Sequence, residues 1–243
     1  MKFGYSMPSA SPLYPEPPYY YKGNNEISVV FRTEADTLRE LVPLPLLPNR
    51  DNLAFVYVGE FNIDAPLKGK YKEAGIGIPV IFKERLGNYF VSLYLDSAYA
   101  IAGGREIWGW PKKDAEITLT ADHGIFQASI SRGGTTLIQG SVNATEQVKP
   151  IPIQPDIPGF NLKIVPSVRK NHTPDVLQLT TVNIVSVIKE LTRGDATLCF
   201  ASSTADPLGR IKVLEILSGE QYIEDMILDC GEVLFDYLIE SQK

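Results

Sequence analysis

The sequence of 243 residues predicts a single β-rich α+β domain over residues 1–243, an antiparallel β-barrel or double sheet with a few short helices. Three observations lead to this prediction. Most apolar runs are short and rich in branched or aromatic residues, as strands are. Turn residues separate these runs, and few segments have helical spacing. A hydrophobic content of 44% over this length is enough for one sizeable core.

Residues 1–22 are expected to form an extended arm packed on the body of the protein, because the prolines in this segment exclude a helix or a central strand. A short strand at residues 27–31 follows. Thr33 is a candidate cap for a helix at residues 34–42, which ends before Pro43. From there the pattern becomes mainly β.

The centre of the chain predicts an antiparallel meander. Residues 122–124 (Asp-His-Gly) and 132–134 (Arg-Gly-Gly) lie where hairpin turns belong, between runs of similar length. The strands predicted in this region are residues 53–61, 78–82, 89–95, 116–120, 125–130 and 135–142.

The proline-rich residues 149–159 are expected to be a long crossing loop rather than a linker between two domains. Beyond it, a short helix is predicted at residues 220–228, with Ile223 and Ile227 turned inward. The strands predicted around that helix are residues 161–165, 176–186, 196–201, 211–217 and 233–238.

The composition disfavours several classes of function. A net charge of −6 and a pI near 5.1 argue against nucleic-acid and anionic-membrane partners. No apolar run is long enough for a membrane span, and no signal peptide is seen, so we expect a cytoplasmic protein. Two widely spaced cysteines and two histidines in turn-like surroundings predict neither a disulfide framework nor a metal site. The expected partner is a small molecule.

The most informative segment is residues 104–113, Gly-Arg-Glu-Ile-Trp-Gly-Trp-Pro-Lys-Lys, which places Lys112 and Lys113 directly after a Trp-Pro step. A lysine attacks a ketone only as the neutral amine, and an unperturbed side chain of pKa ~10.4 is neutral in about one molecule in 2500 at pH 7. Burial beside tryptophan and a neighbouring cation both lower that pKa. The segment predicts an activated lysine, with a solvated surface pair as the alternative.

This segment resembles the active-site stretch of the acetoacetate decarboxylase family, in which Gly-Arg-Glu leads to an aromatic residue followed by Pro-Lys-Lys. Further family landmarks occur in family order at residues 31–33 (Phe-Arg-Thr), 71–75 (Tyr-Lys-Glu-Ala-Gly), 94–96 (Tyr-Leu-Asp) and 162–166 (Leu-Lys-Ile-Val-Pro). The resemblance implies that Lys112 forms a Schiff base with acetoacetate or a related β-keto acid, releasing carbon dioxide and a ketone through an enamine. It implies no metal or organic cofactor, and a homo-oligomer.

The way in which Lys112 becomes neutral can be argued from its neighbours. If residues 111–114 are extended, Lys112 and Lys113 point to opposite faces, so the second lysine perturbs the first only weakly. A pKa shift of about three units corresponds to roughly 4 kcal/mol, which burial among aromatic side chains can provide. Trp108 and Trp110 are the candidate walls of such a site, although ordinary core packing would also account for either tryptophan.

Three charged residues complete the candidate site. The resemblance assigns Glu73 to the active site, where a carboxylate can transfer a proton or repel the substrate carboxylate. A surface turn is the alternative for this residue. Arg105 and Glu106 are expected to form a buried ion pair that frames the lysine loop and does not itself take part in the chemistry.

The chain departs from the family pattern at two charges. Asn24 occupies the position of a family arginine that can receive the substrate carboxylate, and a second family glutamate falls in residues 55–57, Phe-Val-Tyr. Lys22 and Glu60 are candidate substitutes. An arginine from a distant segment is a further possibility, the candidates being Arg32, Arg169 and Arg193.

These departures leave three functions open. The first is decarboxylation of acetoacetate or a related β-keto acid. The second keeps the lysine imine but performs aldol addition, dehydration or retro-aldol cleavage on an oxo acid, a choice that the lost arginine hints at. The third is a non-catalytic protein of the same fold that binds a small molecule or has a structural role.

Overall fold

The computed structural model describes residues 3–150, 157–170 and 173–240. In these residues the strands form one continuous sheet, and the helices are short. The strands are β1 (Tyr19–Arg32), β2 (Leu47–Pro48), β3 (Leu53–Ala65), β4 (Gly69–Phe82), β5 (Arg85–Leu95), β6 (Lys112–Asp114), β7 (Glu116–Asp122), β8 (Ile125–Arg132), β9 (Thr135–Val148), β10 (Gly159–Val165), β11 (Val176–Val182), β12 (Ile184–Phe200), β13 (Glu215–Leu228) and β14 (Val233–Asp236). The helices are α1 (Ala35–Leu41), α2 (Ala98–Gly103) and α3 (Tyr237–Glu240), with a π-helical turn at Gly104–Trp108 and a 3-10 turn at Leu208–Arg210.

The sheet is open and mixed. Its strand order is β14-β11-β10-β5-β4-β3-β1-β13-β12-β9-β8-β7, with β2 paired to β4 and β6 paired to β5. Neighbouring strands are antiparallel, except that β5 pairs in parallel with β6 and with β10. The predicted β-rich class with a few short helices is confirmed. Of the two predicted sheet arrangements, closure into a barrel does not occur, because β14 and β7 end the path without pairing to each other.

The predicted helix at residues 220–228 is wrong. This segment belongs to β13, which pairs with β1 on one side and with β12 on the other. The side chains of Glu224, Met226 and Leu228 are buried, whereas Ile227 is 37% exposed. That alternation has the period of a strand. The helix was predicted from the spacing of two isoleucines, and that spacing does not account for the buried glutamate between them.

Other element boundaries also differ from the predictions. Thr33 does not cap α1, which begins after Glu34 without a side-chain cap; the buried Thr33 hydroxyl has no hydrogen-bond partner among the described residues. Of the strand predicted at residues 211–217, only residues 215–217 are in a strand, as the start of β13, and β14 gives way to α3 at Tyr237. Residues 151–156 of the predicted crossing loop lie outside the described residues.

The amino-terminal segment packs on the body through its tyrosines. Residues 3–18 form bends and turns, and β1 begins at Tyr19, inside the segment predicted to be an arm. The side chains of Tyr14, Tyr19 and Tyr21 are each about 5% exposed. This segment thereby supplies aromatic surface to the neighbourhood of Trp108 and Trp110.

The central strands separate the main core from a second, aromatic cluster. In β1 the side chains of Ile27 and Val29 lie in the main core, while Glu26 and Ser28 face a cavity on the other side of the sheet. This arrangement follows from the alternation of side chains along a strand. No helix among the described residues is long and apolar enough to cross a membrane.

Candidate active site

Lys112 lies at the start of β6, directly beyond the π-helical turn. Gly109 ends that turn in the left-handed region, with φ +77°, and the Trp110 N–H donates to the carbonyl of Gly104 at 3.0 Å. A residue with a Cβ at position 109 would be strained and would clash with Lys163, so glycine is needed there. Pairing with Leu93 of β5 then directs the Lys112 side chain inward, where it is 3% exposed.

The Lys112 ammonium or amine contacts a buried carboxylate. Its Nζ lies 3.0 Å from Oε2 of Glu73, which is 5% exposed on β4. The other carboxylate oxygen, Oε1, accepts a hydrogen bond of 2.5 Å from the hydroxyl of Tyr57 on β3. Burial raises the pKa of Tyr57 well above its ordinary value, and the Glu73 charge raises it further, so this tyrosine remains a donor. The three side chains form one connected chain of polar contacts.

Aromatic rings surround the Lys112 nitrogen. Nζ lies 4.4 Å from the centre of the Trp110 ring and 6.0 Å from that of Tyr71. Trp108 packs behind Trp110 at 5.4 Å and donates from Nε1 to the carbonyl of Asp229. Both tryptophans are buried, with Trp110 against the nitrogen itself and Trp108 supporting it.

Burial lowers the pKa of Lys112 below its ordinary value, although the Glu73 carboxylate favours the ammonium form and partly offsets this effect. The neutral amine is therefore populated at a lower pH than in a free lysine.

Lys113 points to the other face of β6, as the alternation of an extended strand requires. Its Nζ lies 2.6 Å from Oδ1 of Asp206, which also accepts hydrogen bonds from Tyr94 and Arg132. Although burial raises the pKa of Asp206, these hydrogen bonds hold it below its ordinary value. Lys113 thus neutralises a buried carboxylate away from Lys112.

The variant Lys113→Ala should leave the pH dependence of Lys112 reactivity unchanged and destabilise the fold by about 1–2 kcal/mol, because Asp206 loses one charged donor and keeps Arg132. Chemical denaturation and the pH dependence of amine reactivity measure the two effects. A shift in the Lys112 titration with no loss of stability would show that the adjacent cation controls the amine.

Arg105 and Glu106 do not form the predicted buried ion pair. Both are exposed, and among the described residues no ion pair joins them. Arg105 donates from Nη1 to the carbonyl of Lys112 at 3.1 Å, and Glu106 accepts a short hydrogen bond from the hydroxyl of Tyr14. Arg105 therefore contacts β6, whereas Glu106 contacts the amino-terminal segment.

Because Gly104 has no side chain, the Lys112 side chain can pack directly against its backbone. A Cβ at this position would be 2.6 Å from Cδ, 2.7 Å from Cε and 3.2 Å from Nζ of Lys112. The Gly104 backbone is helical, with φ −60°, so only the contact with the lysine forbids a side chain.

Gly104→Ala should reduce the rate of imine formation about 10²-fold while the protein still folds, because alanine suits a helical backbone but displaces the nucleophile. Gly103→Ala is the matched control, since its added Cβ would meet the Tyr14 ring at 3.3 Å and not the lysine. Borohydride trapping of a ketone on each variant measures the effect. Equal losses in both variants would contradict the steric argument.

Two cavities adjoin the Lys112–Glu73 contact, one beside each residue. Lys112, Trp108 and Gly104 line the smaller one. The larger, of about 230 Å³, extends from Glu73 to two further buried glutamates, Glu26 and Glu224. Trp110, Tyr71 and Tyr21 line both cavities.

Sequence reasoning missed three residues of this region. Tyr57 lies where the second family glutamate was sought, and the strand alternation that places it opposite Gly75 is the signal that locates it. Glu224 was missed because its segment, which belongs to β13, was predicted to be a helix. Glu26 lies in β1, two residues after Asn24. Its side chain is only 4% exposed, and this burial could not be inferred from one strand alone.

The proposed substitutes for the lost charges do not reach the cavity. The exposed Lys22 pairs with the half-buried Asp64 at 2.6 Å, and the exposed Glu60 pairs with the half-buried Lys72 at 3.8 Å. Asn24 is fully buried but outside the cavity wall, where its Oδ1 accepts the N–H of Asn62. The candidate arginines from distant segments do not line the larger cavity either; they are Arg32, Arg169 and Arg193.

Comparisons with known proteins agree on one family. A family model, described as acetoacetate decarboxylase, matches residues 6–238. The chain is 31% identical over 242 residues to acetoacetate decarboxylase of Paraburkholderia xenovorans (strain LB400), covering 98% of this chain and 94% of the relative. It is 32% identical over 240 residues to the acetoacetate decarboxylase of Burkholderia cenocepacia (strain HI2424), covering 97% and 96%.

A solved structure agrees over the same extent. The structure described as "Structural Studies of Acetoacetate Decarboxylase" superposes with a TM-score of 0.87 at 28% identity, covering 96% of each chain. The likeness therefore extends over nearly the whole chain. The chain belongs to the acetoacetate decarboxylase family of enzymes.

Proposed function

We propose that this enzyme is a cofactor-independent lyase that decarboxylates a β-keto acid through an imine on Lys112. The observation that carries the proposal is the Lys112 side chain itself, which is 3% exposed against Trp110 and has a lowered pKa. A primary amine held neutral in a dry pocket is the group that ketone condensation requires. The names of the relatives support acetoacetate or a closely related acid as the substrate.

In the proposed reaction the Lys112 nitrogen attacks the ketone carbon, and the carbinolamine loses water to give a protonated imine. The bond to the carboxylate carbon then breaks, and its electron pair forms the double bond of an enamine as the iminium nitrogen becomes neutral. Carbon dioxide leaves. A proton adds to the enamine carbon, and water hydrolyses the resulting imine to release the ketone and the free amine.

In the proposed reaction Glu73 transfers protons and Tyr57 orients Glu73. Glu73 Oε2 is 3.0 Å from Nζ, so it can take the proton that the amine loses on condensation and pass it to the departing hydroxyl, which leaves as water. Glu73 is then ionised again before the decarboxylation step. Tyr57, bonded to the other oxygen, holds the carboxylate in position. The carboxylate also lies where it would repel the substrate carboxylate, which favours loss of carbon dioxide.

The test is intact-mass and peptide analysis after incubation with acetoacetate and borohydride. An isopropyl adduct confined to Lys112 is the expected result, because it requires both imine formation and decarboxylation. A protein that releases carbon dioxide from acetoacetate without any reducible adduct would contradict the imine mechanism.

A second activity is favoured by one observation. No lysine, arginine or histidine lines the larger cavity among the described residues, so its wall offers no cation to a substrate carboxylate. A Lys112 imine that performs aldol addition, dehydration or retro-aldol cleavage on an oxo acid is the alternative. The same borohydride experiment with pyruvate separates the two, because a trapped adduct that retains its carboxylate supports the alternative.

A further inference from the structure

Two buried glutamates lie in the larger cavity beyond Glu73. Glu26 of β1 is 4% exposed and Glu224 of β13 is 6% exposed, and both line the cavity wall. The Tyr222 hydroxyl donates to Oε2 of Glu26 at 3.2 Å. Oε1 of Glu26 accepts no hydrogen bond from any donor in the part of the chain that the structure describes. In Glu26, which lines the cavity, this oxygen is therefore left for a proton shared with Glu224 or for a ligand.

The backbone opposite Glu26 makes room for its side chain. Gly59 of β3 pairs with Glu26, and a Cβ on Gly59 would lie 2.4 Å from Cγ of Glu26. Any larger residue at position 59 would push the glutamate from its place. The carboxyl group is thus held in the cavity by local packing and by Tyr222, which marks a built site.

No protein cation balances this pair. Among the described residues, no ion pair includes Glu26 or Glu224, and the cavity wall contains no basic side chain. Burial raises the pKa of both carboxyls, and the charge of Glu224 raises that of Glu26 further. Two neighbouring buried carboxyls cannot both ionise without a cation, so a proton takes that place when the cavity is empty.

We infer that Glu26 and Glu224 form a specificity site for a cationic nitrogen group on the acyl chain of the substrate. This inference rests on the proposed function, because the same substrate presents its ketone to Lys112. The substrate class is an oxo acid whose chain ends in a protonated amine, a short chain away from the carbonyl carbon. The nitrogen donates to the free Oε1 of Glu26, and the displaced proton leaves the carboxyl pair.

The inference implies a pH dependence of binding. The groups that face Glu26 are Glu224 and Tyr222 from β13, Tyr57 from β3 and Glu73 from β4. All are acids, so each proton lost from this set adds negative charge and favours a cation. Affinity for a cationic ligand should therefore rise with pH through the raised pKa of the carboxyl pair, while affinity for a neutral ligand should not.

The experiment compares three ketones of equal chain length by calorimetry with the full-length protein. The cation is 5-(dimethylamino)pentan-2-one, its neutral isostere is 6-methylheptan-2-one, and the anion is 5-oxohexanoate. Calorimetry detects binding whether or not an imine forms. We expect the cation to bind at least about tenfold more tightly than the isostere and the anion to bind most weakly, since a charge-assisted hydrogen bond is worth roughly 1.5–3 kcal/mol.

The variants Glu26→Gln and Glu224→Gln, alone and together, keep the size of each side chain and remove its charge. The double variant should bring the affinity ratio of cation to isostere close to one. Each single variant should lower that ratio, so the test survives if the double variant does not fold. A ratio near one in the wild type, or a ratio that the variants leave unchanged, overturns the inference.

Borohydride trapping of acetone on Lys112 is measured in the same proteins as a separate readout. Acetone has no side group, so its trapping should change less than about threefold in the glutamine variants. Trapped acetone without any preference for the cationic ketone defeats the specificity site and leaves the imine mechanism standing. Preference for the cation without trapped acetone supports the specificity site and defeats the imine mechanism.

Discussion

Replacing Lys112 with methionine should abolish the reducible adduct and lower the decarboxylation rate by roughly three orders of magnitude or more, the loss that follows removal of a catalytic nucleophile. Methionine fills most of the same buried volume beside Trp110 and carries no charge, so the protein should remain folded. Steady-state release of carbon dioxide from a β-keto acid, together with peptide mass analysis, measures both effects.

The matched control for this variant is Lys113→Ala, because Lys113 is adjacent in sequence but bonds to Asp206 on the other face. It should keep the adduct on Lys112. Unaltered turnover in the Lys112→Met protein, with its fold intact, would place the chemistry elsewhere in the molecule.

Glu73→Gln should have two separable effects. The rate of decarboxylation at its pH plateau should fall by about 10²- to 10³-fold, because a proton acceptor 3.0 Å from the nucleophile is lost. The Glu73 charge raises the pKa of Lys112, so its removal lowers that pKa further. The acid limb of imine formation should then move to lower pH, since the amine stays neutral over a wider range.

The two effects are measured by the pH profile of turnover and the pH profile of acetone trapping. Tyr57→Phe is the control, because it removes a hydrogen bond to Glu73 and leaves the carboxylate in place. It should cost less activity than Glu73→Gln. An acid limb that moves to higher pH in Glu73→Gln would show that the carboxylate acts on Lys112 in some other way.

Much of the lysine loop could be predicted from the sequence because local rules decide it. The extended Pro-Lys-Lys step alone separates the faces of Lys112 and Lys113, and Trp110 lies two residues away on the same face as Lys112. The prediction that burial perturbs Lys112 more than its neighbour does agrees with the direction and cause of its pKa shift. The assignment of Glu73 to the active site required the family resemblance, since β4 and β6 are joined only through β5.

The carboxyl pair could not be predicted, because it depends on the pairing of distant strands. Glu26 and Tyr222 become partners through the β1–β13 ladder, which joins segments about two hundred residues apart. The apolar spacing of residues 220–228 fits a helix as well as a strand when it is considered alone. Pairing with β1 and β12 decides in favour of the strand, and only then does Glu224 face the cavity.

Asn24 and Glu26 lie near the same end of β1 but have different surroundings. Asn24 does not line the cavity, and its Oδ1 accepts the N–H of Asn62, whereas Glu26, two residues later, lines the cavity. The cavity wall thus contains an acidic pair and, among the described residues, no basic side chain. This arrangement is consistent with a substrate that differs from acetoacetate beyond its reacting carbons.

The central claim is that Lys112 is a neutral amine at a pH at which ordinary lysines are charged. The most direct measurement is the rate of acetylation of Lys112 by acetic anhydride across pH, followed by peptide mass spectrometry with α-N-acetyllysine as the internal standard. We predict a midpoint for Lys112 well below that of the standard, because burial lowers its pKa. A midpoint at or above that of the standard would contradict the activated amine and the imine mechanism with it.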